Sequence, residues 1–86
     1  AKDDEDAMRL ANDSRYGLGG GIFSKDEDRA LKLAKEHFDT GMIRINSFGA
    51  ADPNMPFGGV KDSGYGREHG GFGMNEFANA KAIFLP

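Results

Sequence analysis

The chain has 86 residues, a net charge of −3 from 14 acidic and 11 basic residues, two histidines and no cysteine. That length suits one small domain with a modest core built from a hydrophobic content of 38% that includes seven Phe, and no apolar run approaches the ~18 residues of a membrane span. Without cysteine there is no disulfide, thiolate metal site or cysteine nucleophile, and the scattered basic residues make no phosphate-tracking surface, so neither nucleic acid nor membrane is expected as a partner.

Residues Asp4 to Asn12 place acids in a first turn and then Ala7, Met8, Leu10 and Ala11 at helical spacing, which predicts a short helix oriented to suit its dipole. After Asn12-Asp13-Ser14 comes "YGLGGGIF". Glycine inside a strand marks close approach of a neighbour, so Tyr16 to Phe23 is predicted as a buried strand. Ser24-Lys25-Asp26-Glu27 fits a capping box; a helix of about fourteen residues should start at Ser24, bury Ala30, Leu31, Leu33, Ala34 and Phe38, and stop at Gly41. "MIRIN" then alternates, with Met42, Arg44 and Asn46 on one face and Ile43 and Ile45 on the other, as a strand does. Strand, helix, strand is a βαβ unit with a parallel sheet. Such sheets are covered by helices on both faces, and this chain has few to spare, which suggests a piece of something larger.

Ser47 to Gly66 reads as a twenty-residue loop, stiffened by Pro53 and Pro56 and carrying Phe48, Phe57 and Tyr65; loops of that length in compact domains are usually functional. A glycine-weakened helix follows in "REHGGFGMNEF", then a last apolar strand in "AKAIFL" whose edge should seek a partner.

The glycines of the loop make no phosphate cradle. Gly59 and Gly64 have Tyr65 where a P-loop needs lysine, and Gly64 and Gly66 are followed by His69 where a dinucleotide fingerprint needs a third glycine. His37 suits a helix C-terminus, His69 reads as a solvated helix-start residue, and no His, Asp and Glu cluster has metal-ligand spacing. Arg67 and Glu68 can cap and solvate a helix start, or act at an interface (Arg67) and in a proton path (Glu68).

Taken in order, "ANDSRYGLGGGIFSKD", "GMIRIN" and "PFGGVKDSGYGRE" followed by "G" and "EF" resemble the C-terminal end of the NAD(P)-dependent aldehyde dehydrogenases, over the whole chain. The resemblance implies an α/β fold in which residues 1–76 end the catalytic domain and residues 77–86 form an oligomerisation-arm strand that pairs with another subunit. It implies that the parent oxidises an aldehyde to an acid through a cysteine thiolate, a hydride transfer to NAD or NADP and a water-activating glutamate. The catalytic and cofactor-binding residues would lie upstream, leaving this piece inactive alone. Carried over residue by residue, the aldehyde tunnel points to Phe48, Ala51 and Phe57. Ala51 stands where aromatic-aldehyde or small-aliphatic members often hold phenylalanine, so a tunnel that is wider or lined by other loops is expected; Asn79 stands where many tetrameric members place a glutamate that ties subunits together. The stretch "ADPNMPFGGVKDSGYGRE" with "EFANAKAIF" is similar to the semialdehyde-oxidising branch, succinate semialdehyde first, and "AKDDEDAM" at the start, with no apolar leader, leads us to expect a cytoplasmic protein. The alternative is a free-standing module that captures protein or peptide on its edge strand and glycine-rich loop.

Overall fold

The computed structural model describes every residue except Ala50. Helix α1 (Asp4–Asn12) forms where the acids predicted it, and Asp3 caps it by accepting from the Asp6 N–H at 2.8 Å. Strands β1 (Tyr16–Gly17) and β2 (Gly19–Ile22) follow, then helix α2 (Glu27–Glu36), β3 (Met42–Ile45), β4 (Val60–Lys61) and helix α3 (Gly70–Glu76).

The βαβ unit is present. β2 runs parallel to β3 with Gly19 opposite Met42 and Gly21 opposite Arg44, and α2 is the crossover that packs on β3. The middle glycine has a steric reason: a Cβ on Gly20 would sit 2.5 Å from Cζ of Phe38, so the ring that follows the crossover helix packs against bare backbone. Gly19 and Gly21 point to the other face, because side chains alternate along a strand. A Cβ on either would meet nothing nearer than 3.8 Å.

Several predicted details change. The stretch 16–23 is two strands rather than one, because the chain changes partner at Leu18: β1 pairs antiparallel with β4, a short strand inside the predicted loop, and β2 pairs with β3. Nor is it buried, since Tyr16, Leu18 and Phe23 are all exposed. The capping box at Ser24 is displaced by a nearer cap. Asp26 accepts from the Arg29 N–H at 3.0 Å and starts α2 at Glu27, while the Ser24 hydroxyl accepts from the Asp26 N–H, also at 3.0 Å; the carboxylate that reaches the third residue on holds the N-cap position. The helix ends at Glu36 with His37 as its cap, so Gly41 is not its stop. A Cβ on Gly41 would instead collide with the carbonyl of Gly58 and lie 2.7 Å from the Gly59 Cα. Residues 78–86 form no ladder in this single chain and are exposed; a strand exists only beside a strand that shares its hydrogen bonds.

Two asparagines hold the unit together. Asn12 donates to the His37 carbonyl at 2.6 Å and accepts from the Asp39 N–H at 2.9 Å, fixing the end of α1 to the end of α2. Asn46, at φ 55°, accepts from the Ser24 N–H at 2.8 Å and donates to the Ser24 carbonyl at 2.9 Å, locking the end of β3 to the exit of β2. Asn tolerates this left-handed backbone better than most residues.

Candidate functional site

The loop after β3 folds back over the face of the sheet that carries Gly19, Gly21, Met42 and Arg44, and encloses a cavity of about 700 Å³. Phe48, Ala51 and Phe57 all line it, so the three residues singled out in the sequence are brought together. Pro53 and Asn54 make a turn in which the Asp52 carboxylate accepts from the Asn54 N–H at 2.8 Å and the Asp52 carbonyl from the Met55 N–H at 3.0 Å. This Asx turn sends the chain through Pro56 into Phe57. There the backbone is clasped: Phe57 and Glu68 exchange N–H···O=C bonds of 2.9 and 2.7 Å, and the Gly70 N–H reaches the Pro53 carbonyl at 3.0 Å. At the mouth the Phe23 and Phe48 rings pack with centroids 5.4 Å apart, although Phe48 is otherwise 89% exposed.

Arg67 and Glu68 lie elsewhere, beside a second hollow of about 780 Å³ that shares Phe57 with the first. The Arg67 guanidinium donates to the carbonyls of Gly59 and Gly66 at 2.8 and 2.7 Å, so it pins the two glycine turns together. Glu68 holds Phe57 through its backbone, and its side chain is exposed. His69 is not the solvated residue the sequence suggested. Its Nδ1 is buried with no hydrogen-bond partner among the described residues, its ring lies 5.8 Å from that of Phe57, and its φ of 65° is one that side chains rarely adopt. Sequence reasoning also missed Phe23, Met55 and Arg44 as cavity residues. The signal for Arg44 was available, since strand alternation puts it on one face with Met42.

One family model and several relatives match this chain. The model described as "Aldehyde dehydrogenase family" matches residues 1–83. The chain belongs to the aldehyde dehydrogenase family. Among aldehyde dehydrogenase relatives, a succinate-semialdehyde dehydrogenase (NADP(+)) of Deinococcus radiodurans is 51% identical over 82 residues, which are 95% of this chain and 17% of that protein. A succinate semialdehyde dehydrogenase (NAD(P)+) of Escherichia coli K12 is 45% identical over 84 residues, 98% of this chain and 18% of that protein. The chain thus spans under a fifth of the curated relatives it matches. Among solved structures, succinic semialdehyde dehydrogenase from Streptococcus pyogenes in complex with NADP+ superposes with a TM-score of 0.92 at 45% identity, covering all of this chain and 19% of that one. A Mycobacterium tuberculosis aldehyde dehydrogenase complexed with NAD+ superposes at 0.93 with 42% identity, covering all of this chain and 17% of that one. The α/β unit is therefore a fragment of the aldehyde dehydrogenase fold.

No helix among the described residues is long and apolar enough to cross a membrane, and no group of three or more His, Cys, Asp or Glu among them is placed to hold a metal. The glycines before α3 make no dinucleotide fingerprint. His69 occupies the third glycine position, and the first amide of α3 is already committed to Pro53.

Proposed function

We propose that this chain is the C-terminal segment of a cytoplasmic NAD(P)-dependent aldehyde dehydrogenase that oxidises a semialdehyde, succinate semialdehyde first, to the carboxylic acid. Residues 1–76 close the catalytic domain, and residues 77–86 form an arm strand completed by another subunit of a homo-oligomer. The observation that carries this reading is the convergence of Phe48, Ala51 and Phe57 on one cavity, in a chain whose relatives are named for succinate semialdehyde.

The residues of this chain perform the substrate-side work. Apolar walls desolvate the aldehyde's hydrocarbon, the Asx turn and the Phe57–Glu68 clasp hold the loop rigid, and Ala51 leaves room where a larger side chain would narrow the passage. Rigid placement matters because small displacements of a bound substrate cost large factors in rate. Arg67 maintains the glycine turns that lead toward the subunit contacts, and Glu68, exposed at the second hollow, is the residue available to a proton path. With no cysteine in the sequence, the nucleophile belongs to other parts of the parent, as do the groups that hold NAD or NADP.

The test is to assay the full-length parent with succinate semialdehyde and NAD or NADP beside the 86-residue chain under the same conditions. NAD(P)H formation by the parent and none by the 86-residue chain is the expected result. NAD(P)H formation by the 86-residue chain, or none by the parent with any aldehyde, overturns the reading.

A further inference from the structure

We propose that His69 is a positioning residue: its ring stands behind Phe57, on the side away from the Phe48–Ala51–Phe57 cavity, and sets how far the Phe57 ring reaches into that cavity and so how wide an aldehyde fits. This rests on the aldehyde-oxidising reading above and adds a residue that controls the width of the passage without lining it.

Phe57 lines both hollows, the cavity of about 700 Å³ and its neighbour of about 780 Å³, whereas His69 lines the second and not the first. The imidazole therefore meets the Phe57 ring from the side opposite the substrate. The Phe57 backbone is fixed, because its N–H and carbonyl are both bonded to Glu68, at 2.9 and 2.7 Å. Its chain neighbours are Pro56 and Gly58, neither of which offers a long side chain to brace the ring. The torsions of the ring are left to what packs on it, and the His69 imidazole packs on it with centroids 5.8 Å apart and planes tilted by 43°, within the distance range of aromatic pairs.

Two features of His69 work against stability. Its φ is 65°, a region that favours glycine, and its Nδ1 is buried with no hydrogen-bond partner among the described residues. A side chain in that backbone region is strained, and a buried polar atom left unpaired costs stability as well. Glycine, which the chain uses at the very next position with φ 55°, would remove both costs. What glycine cannot supply is the ring against Phe57, and that contact accounts for an imidazole at this position. The backbone presents the imidazole from a fixed point: the His69 carbonyl accepts from the Gly73 N–H at 2.9 Å, and the Gly70 N–H donates to the Pro53 carbonyl at 3.0 Å. Without the imidazole, space opens behind Phe57, the ring turns back into it and the cavity widens.

The experiment uses the full-length parent and reads the ratio of kcat/KM for benzaldehyde, a wide aldehyde, to kcat/KM for succinate semialdehyde, a narrow one. That ratio does not depend on the fraction of each preparation that is folded. His69→Gly and His69→Asn both remove the ring, and asparagine keeps a residue suited to left-handed backbone, so the pair separates loss of the ring from relief of strain. Each is expected to raise the ratio about tenfold, the scale on which a pocket discriminates by size. His69→Phe, which restores a ring without the buried nitrogen, should return the ratio to near the wild-type value. His69→Gly or His69→Asn variants whose two values change equally or not at all, or a His69→Phe variant that behaves as His69→Gly does, overturn the proposal and leave the aldehyde-oxidising reading standing. A wild-type parent that oxidises neither compound overturns that reading and this proposal with it.

Discussion

At the scale of single residues, glycine is the informative amino acid, and different glycines do different things. Gly41 is where two backbones touch: an added Cβ would strike the Gly58 carbonyl and crowd the Gly59 Cα at 2.7 Å, and neither can swing aside as a side chain would. Gly21, by contrast, has room for a Cβ, which would meet the Arg44 carbonyl at an ordinary 3.8 Å. We therefore expect Gly41→Ala to destabilise the parent by about 1–3 kcal/mol through overpacking, and Gly21→Ala to stay within about 0.5 kcal/mol of wild type, in urea denaturation. Equal midpoints for the two variants would contradict the close approach. His69 shows the opposite case, a bulky residue in a backbone region that glycine favours. It is held there by the Gly70-to-Pro53 bond and by its ring against Phe57, so the clasp that aims Phe57 also stores local strain.

At the scale of elements, α1 is attached to the βαβ unit and to β4 by polar contacts. Asn12 bridges to the end of α2, and Lys61 donates to the carbonyls of Asn12 and Ser14 at 3.0 and 3.2 Å. A third tie joins the two helix starts, where the Arg29 guanidinium makes two bonds of 2.5 Å to the Asp4 carboxylate. That hydrogen bonding holds the Asp4 carboxyl below its ordinary 3.8 and outweighs the opposing effect of desolvation. Because the folded value lies below the unfolded one, the stabilisation is complete above 3.8 and is lost as the pH falls through the depressed folded value. The pair is exposed, so its contribution is small and screened by salt. Asp4→Asn should lower the thermal midpoint slightly near neutral pH, and the gap from wild type should narrow as the pH is taken below 3.8. A gap that is constant with pH would show that the clasp carries no stability.

At the scale of the whole molecule, the chain is far from a closed globule. Its accessible surface is 7055 Å², against roughly 5,000 Å² for a compact protein of this mass. The radius of gyration is 16.5 Å, with extents of 62 × 24 × 23 Å, against about 12 Å for a compact domain of this length. Ala30 is the single fully buried hydrophobic among the described residues, while Phe77, Phe84 and Leu85 are 88% exposed or more. Apolar surface on this scale marks an interaction face, and the tail from Asn79 to Pro86, which joins no strand, has backbone to offer as well. The isolated chain is therefore expected to self-associate, with an apparent mass in size-exclusion chromatography that rises with concentration and a broad thermal transition. A sharp, concentration-independent monomeric melt would contradict this.

The features that sequence alone determined are local or periodic. Helix α1, the alternation of β3, the βαβ order and the ordered aromatic loop follow from spacing and composition, because a helix or strand reports its own period wherever it is placed; the family resemblance added the grouping of Phe48, Ala51 and Phe57. Tertiary structure decided what depends on partners distant in the chain. The break at Leu18 exists because β4, some forty residues on, takes β1 away from β2's sheet; Gly41 is required by Gly58 rather than by the helix before it; and Arg44 becomes a cavity residue only once the loop folds back over its strand. No window of sequence contains these pairs, because the contacts that define them form only when the chain closes on itself.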